Sequence, residues 1–132
     1  MLVLEDNPTD VFVIKEVLAN CGLSLKPHIV RDGQEAVQYL QALELNLSVP
    51  CPALVLLDLN LPRVDGIGVL RQLRHLSRCS KVPVIVVTSS GAEADRTAAG
   101  ELGADYYFQK PTELSAYMQL GDVIKTVLKA GG

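Results

Sequence analysis

Residues 54–66 read LVLLDLNLPRVDG. Four apolar residues, Leu54 to Leu57, run directly into the carboxylate of Asp58. Burying an unpaired charge is costly. The stretch therefore reads as a short buried strand whose last side chain opens into a polar crevice, and what occupies that crevice is the functional question.

Along the whole chain, apolar runs alternate with helix-like segments five times, the pattern of βαβ units on a parallel sheet. The strand candidates are Leu2 to Leu4, Leu25 to Val30, Ala53 to Leu57, Val84 to Thr88 and Tyr106 to Gln109. Several are nearly all apolar, as strands covered on both faces should be. Helical spacing links Val11, Ile14, Leu18 and Cys21, then Val37, Leu40 and Leu43, then Ile67, Leu70 and Leu73. A last helix places Leu114, Tyr117, Met118, Gly121, Ile124 and Leu128 on one stripe, with Thr112 as its expected cap. In NPTD, Asn7 suits a cap, Pro8 the first helical position and Asp10 the third, where a carboxylate favours the helix N-terminus. The fourth helix, AEADRTAAGEL, has few large apolar residues and is expected to pack loosely.

At 132 residues the chain is the size of one domain, expected to span 1–132 with no output domain. It is 48% hydrophobic and 20% charged with a formal net charge of -3, which argues against a nucleic-acid partner. No apolar stretch reaches membrane-spanning length and MLVL followed by EDNP leaves no room for a signal peptide, so a cytoplasmic protein without a membrane partner is expected. Cys21, Cys51 and Cys79 lie far apart with no C-x-x-C spacing and are expected to be reduced thiols packed as small hydrophobes. A nucleotide-hydrolysing reading fares poorly, since the chain lacks a G-x-x-x-x-G-K-[ST] loop.

Open parallel sheets place functional residues beyond the carboxyl ends of their strands. That rule gathers Glu5 and Asp6 after strand one, Asp58 after strand three, Thr88 at the end of strand four and Lys110 after strand five. Three clustered carboxylates repel one another unless a cation joins them, and a hard divalent ion such as Mg²⁺ suits one or two carboxylates, a backbone carbonyl and retained waters. Asp58, alone on its strand end, is the nucleophile candidate. Lys110, Thr88 and the metal would then each meet one equatorial oxygen of a transferred phosphoryl group.

In their order along the chain, LEDN, LLDLNLPRVDG, VTSS and QKP resemble a two-component response-regulator receiver domain of the CheY-like type. The resemblance implies a three-layer, doubly wound α/β fold of the flavodoxin-like kind, with five parallel strands in the order 2-1-3-4-5. It implies that Asp58 accepts a phosphoryl group from a sensor histidine kinase and that the chain promotes only its own Mg²⁺-dependent phosphorylation and dephosphorylation. Glu5, Asp6, Asp58 and the backbone carbonyl of Asn60 would hold the metal, although Asn60 read alone equally suits a turn. Thr88 and Lys110 complete the catalytic set, Thr88 and Tyr107 form the switch, and the Lys110–Pro111 bond is a cis-proline candidate. Tyr107 read alone is more often a core aromatic, and Tyr106 beside it would take the opposite face. Pro62 and Gly66 fall in the turn after the phosphoacceptor, and Ser90 at a position that tunes water attack.

The opening, HIVRDGQEAVQYL and LDLNLPRVDG are similar to regulators paired with bacteriophytochrome-type kinases, which makes such a kinase the expected partner. The fourth helix, fifth strand and last helix form the expected contact surface, for a partner or a homodimer. His28 and His75 lie on other elements and are poor phosphodonors, and Arg71, Arg74, Arg78 and Lys81 read as a solvated basic face. The competing class is a flavodoxin-like protein-binding module or scaffold that is never phosphorylated.

Overall fold

The computed structural model describes residues 1–23, 25–62 and 65–131. Their elements alternate as β1 (Leu2–Leu4), α1 (Pro8–Asn20), β2 (His28–Val30), α2 (Gly33–Leu45), β3 (Val55–Leu57), α3 (Gly66–Arg74), β4 (Val84–Thr88), α4 (Glu93–Glu101), β5 (Tyr106–Gln109), α5 (Leu114–Tyr117) and α6 (Leu120–Gly131). The strands form one five-stranded sheet in the order β2-β1-β3-β4-β5, and every pairing is parallel. This is the doubly wound α/β architecture expected from the sequence.

Two-residue alternation divides each strand between two cores. Leu2, Leu4, Val55, Leu57, Val84 and Val86 pack on the α2, α3 and α4 side. Val3, Leu54, Leu56, Ile85, Val87 and Phe108 pack on the α1, α5 and α6 side. Both faces are thus covered, which is why the strands read as unbroken apolar runs.

β1, β4 and β5 have the bounds read from the sequence, whereas β2 and β3 are shorter, because His28 is the first residue paired with β1 and Val55 the first paired with β1 and β4. Asn7 caps α1 as expected, its side-chain oxygen accepting from the amides of Thr9 and Asp10 at 2.9 and 3.3 Å. α4 buries only Ala99, in line with the loose packing expected of it.

The last helix departs from expectation. It is two helices, separated at Met118 and Gln119, where the amides of Gln119, Gly121 and Asp122 bond three residues back and tighten the turn. Glu113, not Thr112, occupies the cap position of α5, and no side chain caps it. Leu114 is 60% exposed and lies off the buried stripe that Tyr117, Leu120 and Ile124 form. These three-residue bonds interrupt the α-helical ladder between α5 and α6.

The cysteines also depart from expectation. Cys51 and Cys79 are paired in a disulfide with Cα atoms 5.5 Å apart, while Cys21 is free and buried. Sequence spacing gave no sign of this pair. β3 and β4 are neighbouring parallel strands, so the connections that enter them, one carrying Cys51 and the other Cys79, meet at the same end of the sheet.

Candidate functional site

The strand ladders continue one residue beyond β1, β3 and β5 and so fix the backbone that carries the site. The Glu5 amide donates to the Val30 carbonyl, the Asp58 amide to Leu4 and the Lys110 amide to Thr88, at 2.9, 2.9 and 2.7 Å. The sequence-predicted residues therefore converge: Glu5, Asp6, Asp58, Asn60 and Lys110 line one open crevice of about 640 Å³. Glu5, Asp58 and Thr88 are buried, at 1%, 5% and 0% exposure, and are the only charged or polar residues so deeply buried among those described.

Lys110 organises the charges. Its ammonium lies 2.7 Å from Glu5 Oε1, 2.9 Å from Asp58 Oδ2 and 3.0 Å from Asp10 Oδ2. Burial opposes its charge, but the three carboxylates more than offset this and hold its pKa above the ordinary lysine value. Burial likewise pushes Asp58 up, yet hydrogen bonds from Lys110 and from the Asn60 amide, 3.1 Å from Oδ1, outweigh it and leave Asp58 below its ordinary pKa. For Glu5 burial wins: despite Lys110, desolvation and the nearby Asp58 charge raise it from 4.5 to about 7.

The oxygen set fits a hard divalent cation. Glu5, Asp6 and Asp58 each offer a carboxylate oxygen within 4.8 Å of the others. Glu5 Oε1 is buried and has only its charge contact with Lys110, without a directed hydrogen bond. Four carboxylates, counting Asp10, face one ammonium, and a second cation would relieve their repulsion.

Two features were not read from the sequence or depart from it. Asp10, placed there only as a helix-terminal acid, also binds Lys110 and accepts from the Tyr117 hydroxyl at 3.3 Å. The first turn of α1 brings it over the crevice, and no local pattern announces that. The described residues contain no cis peptide bond, so Lys110–Pro111 is trans. Lys110 already reaches three carboxylates in this conformation, and a cis bond is not needed to aim it. Arg63 and Val64 of the LPRVDG motif lie outside the described residues.

Gly66 holds the Asp58 end of β3 against α3. Its amide donates to Leu59 at 3.0 Å, and a Cβ at this position would sit 2.5 Å from the Asp58 carbonyl oxygen and from Leu59 Cα. Both are backbone atoms and cannot swing aside. Gly66→Ala is expected to destabilise the fold by about 2–3 kcal/mol, the upper part of the overpacking range, and to displace Asp58. Urea unfolding should show the midpoint falling, while an unchanged midpoint would contradict this packing.

Thr88 and its surroundings link the crevice to β5. The Asn60 side-chain amide and the Ser90 amide both point at Thr88 Oγ1, at 3.5 and 3.4 Å. Tyr107 is half-buried against the α4 side and donates its hydroxyl to the Ser90 carbonyl at 2.8 Å. The Arg96 guanidinium of α4 stands 4.5 Å over the Tyr107 ring. Tyr106, on the opposite face, is 47% exposed.

Comparison with known proteins places this geometry. The response regulator receiver domain model matches residues 1–120. Response regulator Rcp1 of Synechocystis sp. is 36% identical over 114 residues, covering 86% of this chain and 78% of Rcp1. The crystal structure of its Mn²⁺-bound form superposes with a TM-score of 0.83 at 34% identity over 95% of this chain and 90% of that one. The phosphorylated cyanobacterial phytochrome response regulator RcpA gives 0.86 at 33% identity, covering 99% of this chain and 94% of that one. The bacteriophytochrome response regulator AtBRR gives 0.74 at 35% identity, over 96% and 89%. The acidic cluster matches the metal and phospho-aspartate pocket of two-component regulators, in which a receiver undergoes its own phosphorylation and dephosphorylation. Fold, crevice and similarity agree: the chain belongs to the CheY-like response regulator receiver domain family.

Proposed function

We propose that Asp58 accepts a phosphoryl group from a sensor histidine kinase in a Mg²⁺-dependent reaction. The observation that carries this reading is the Lys110 ammonium, joined to both Asp58 and Glu5 inside a buried acidic cluster. Its charge and the Asn60 amide keep Asp58 ionised at neutral pH, with a lone pair free for attack. An Asp58 oxygen forms the new O–P bond as the N–P bond of a phosphohistidine breaks, and the imidazole nitrogen keeps that bonding pair. Lys110 then pairs with one phosphoryl oxygen and Thr88 donates its hydroxyl to another. Glu5, Asp6, Asp58 and the Asn60 carbonyl would hold Mg²⁺, which when bound neutralises charge on the third oxygen.

Incubation with acetyl phosphate tests this directly. The intact mass should rise by one phosphoryl group with Mg²⁺ and stay unchanged with a chelator. No gain in Mg²⁺ would favour the competing reading, a binding module of the same fold.

The names of RcpA and AtBRR tie those relatives to phytochromes, which supports a phytochrome-type sensor kinase as the phosphodonor here. The surface that reports phosphorylation is α4, β5 and the α5–α6 pair. A phosphoryl group on Asp58 gives the Thr88 hydroxyl a doubly charged acceptor, and movement of Thr88 removes the partner that the Ser90 amide now approaches. Tyr107, bonded to the Ser90 carbonyl, and Arg96, stacked on Tyr107, carry the change into α4, which little apolar burial restrains. An apolar groove of about 400 Å³ between β5 and α6, lined by Tyr106, Val123 and Val127, suits a partner or a second copy of this chain. Amide exchange with and without beryllofluoride should change in α4 and β5, and unchanged exchange there would contradict the switch.

A further inference from the structure

We propose that Cys51 and Cys79 form a thiol–disulfide exchange site, opened at the Cys51 sulfur by low-molecular-weight thiols of the glutathione class. The site lies at the end of the sheet opposite Asp58, where the α2–β3 and α3–β4 connections enter β3 and β4. Three observations support exchange over a purely structural bridge.

The first is access. Cys51 is exposed and Cys79 half-buried, whereas the unpaired Cys21 is buried. An incoming thiolate therefore meets the Cys51 sulfur first, and exposed disulfides are the labile ones. Its attack forms a mixed disulfide on Cys51 and releases the Cys79 thiolate. A second thiol resolves the mixed disulfide. The Cys51 thiolate leaves, a small disulfide is produced, and two electrons have moved from the small thiols to the protein. Glutathione-class disulfide drives the same steps in reverse.

The second is backbone strain. Cys79 has φ of 66°, and no other non-glycine residue among those described has a positive φ. A side chain persists in that region where its surroundings hold it there, and opening the bridge frees the residue to relax.

The third is that the segment stays docked without the bridge. The Glu44 carboxylate accepts from the Ser77 amide and hydroxyl at 2.9 and 2.6 Å, and Arg78 donates to the Leu43 and Asn46 carbonyls at 2.9 and 3.3 Å. Arg74 holds the following residues through the Ser80 and Val82 carbonyls at 2.9 and 2.7 Å. These contacts hold both flanks of Cys79 independently of the bridge, so its thiol stays at this end of the sheet for the bridge to close again.

The test uses the full native chain in graded mixtures of reduced and oxidised glutathione, quenched, alkylated and mapped by mass spectrometry. Two alkylatable thiols should appear together at Cys51 and Cys79 and disappear when oxidised glutathione is restored, with Cys21 protected throughout. Cys79→Ser should retain glutathione on Cys51. Reduction only at denaturant concentrations that unfold the chain, with Cys21 alkylated in step, would overturn the proposal. So would a glutathione adduct found on Cys79 of the intact chain and not on Cys51.

Discussion

Lys110→Met is expected to lower the stability of the metal-free chain by about 3–5 kcal/mol near pH 8, the range for removing one partner of a buried ion pair. The Lys110 side chain is 10% exposed and its ammonium touches Glu5, Asp58 and Asp10, so methionine fills the space but leaves desolvated carboxylates facing one another. The pH dependence has a definite sign. Glu5 in the folded chain titrates near 7, above its ordinary 4.5, so the folded state binds the extra proton between those values. Its contribution to stability is complete below about pH 4.5 and is lost as pH rises through about 7. Removing Lys110 raises that folded pKa further. The variant should be most impaired in alkali and recover toward acid, where Glu5 takes up a proton in place of the lost cation. Mg²⁺ should restore part of the loss by supplying positive charge to the same oxygens. Urea unfolding near pH 5.5 and near pH 8, with and without Mg²⁺, checks each part, and an equal loss at both pH values would contradict this account of the charge cluster.

Opening the Cys51–Cys79 bridge has the next largest effect. The two residues are 28 apart in sequence, and cross-linking a loop of that length removes enough freedom from the unfolded chain to stabilise the fold by about 3.5 kcal/mol. The enclosed segment contains β3, Asp58 and α3, and because the bridge acts on the unfolded chain its stabilisation is shared by the whole cooperative fold. Cys51→Ser combined with Cys79→Ser should therefore unfold at markedly lower urea. Cys79→Gly in place of Cys79→Ser should recover about 1 kcal/mol, since glycine adopts a φ of 66° without a Cβ penalty. Equal stability of the serine pair and the oxidised parent would contradict this assignment.

Much of this was written in local sequence because the sheet is covered on both faces. Runs such as Val84–Thr88 carry few polar residues, and the change from apolar to polar at Leu57–Asp58 marks a strand end without further help. The site followed from the same rule, since strand ends in a parallel sheet share one edge. Local pattern could not show what depends on tertiary approach. Asp10 reaches Lys110 across 100 residues of sequence, and Cys51 meets Cys79 because β3 and β4 are neighbours. The break between α5 and α6 was hidden for another reason. Apolar residues recur at helical spacing on both sides of it, and the shift to shorter hydrogen bonds leaves that spacing nearly intact.

Whether the crevice makes Asp58 a phosphoacceptor is decided by peptide mapping after reaction with acetyl phosphate and Mg²⁺. A single labile phosphoryl group is expected on the peptide containing Asp58 and none on the Asp58→Asn chain, whose folded structure urea unfolding would verify. Phosphate retained by Asp58→Asn, or mapped to Glu5, Asp6 or Asp10 in the parent chain, would contradict it.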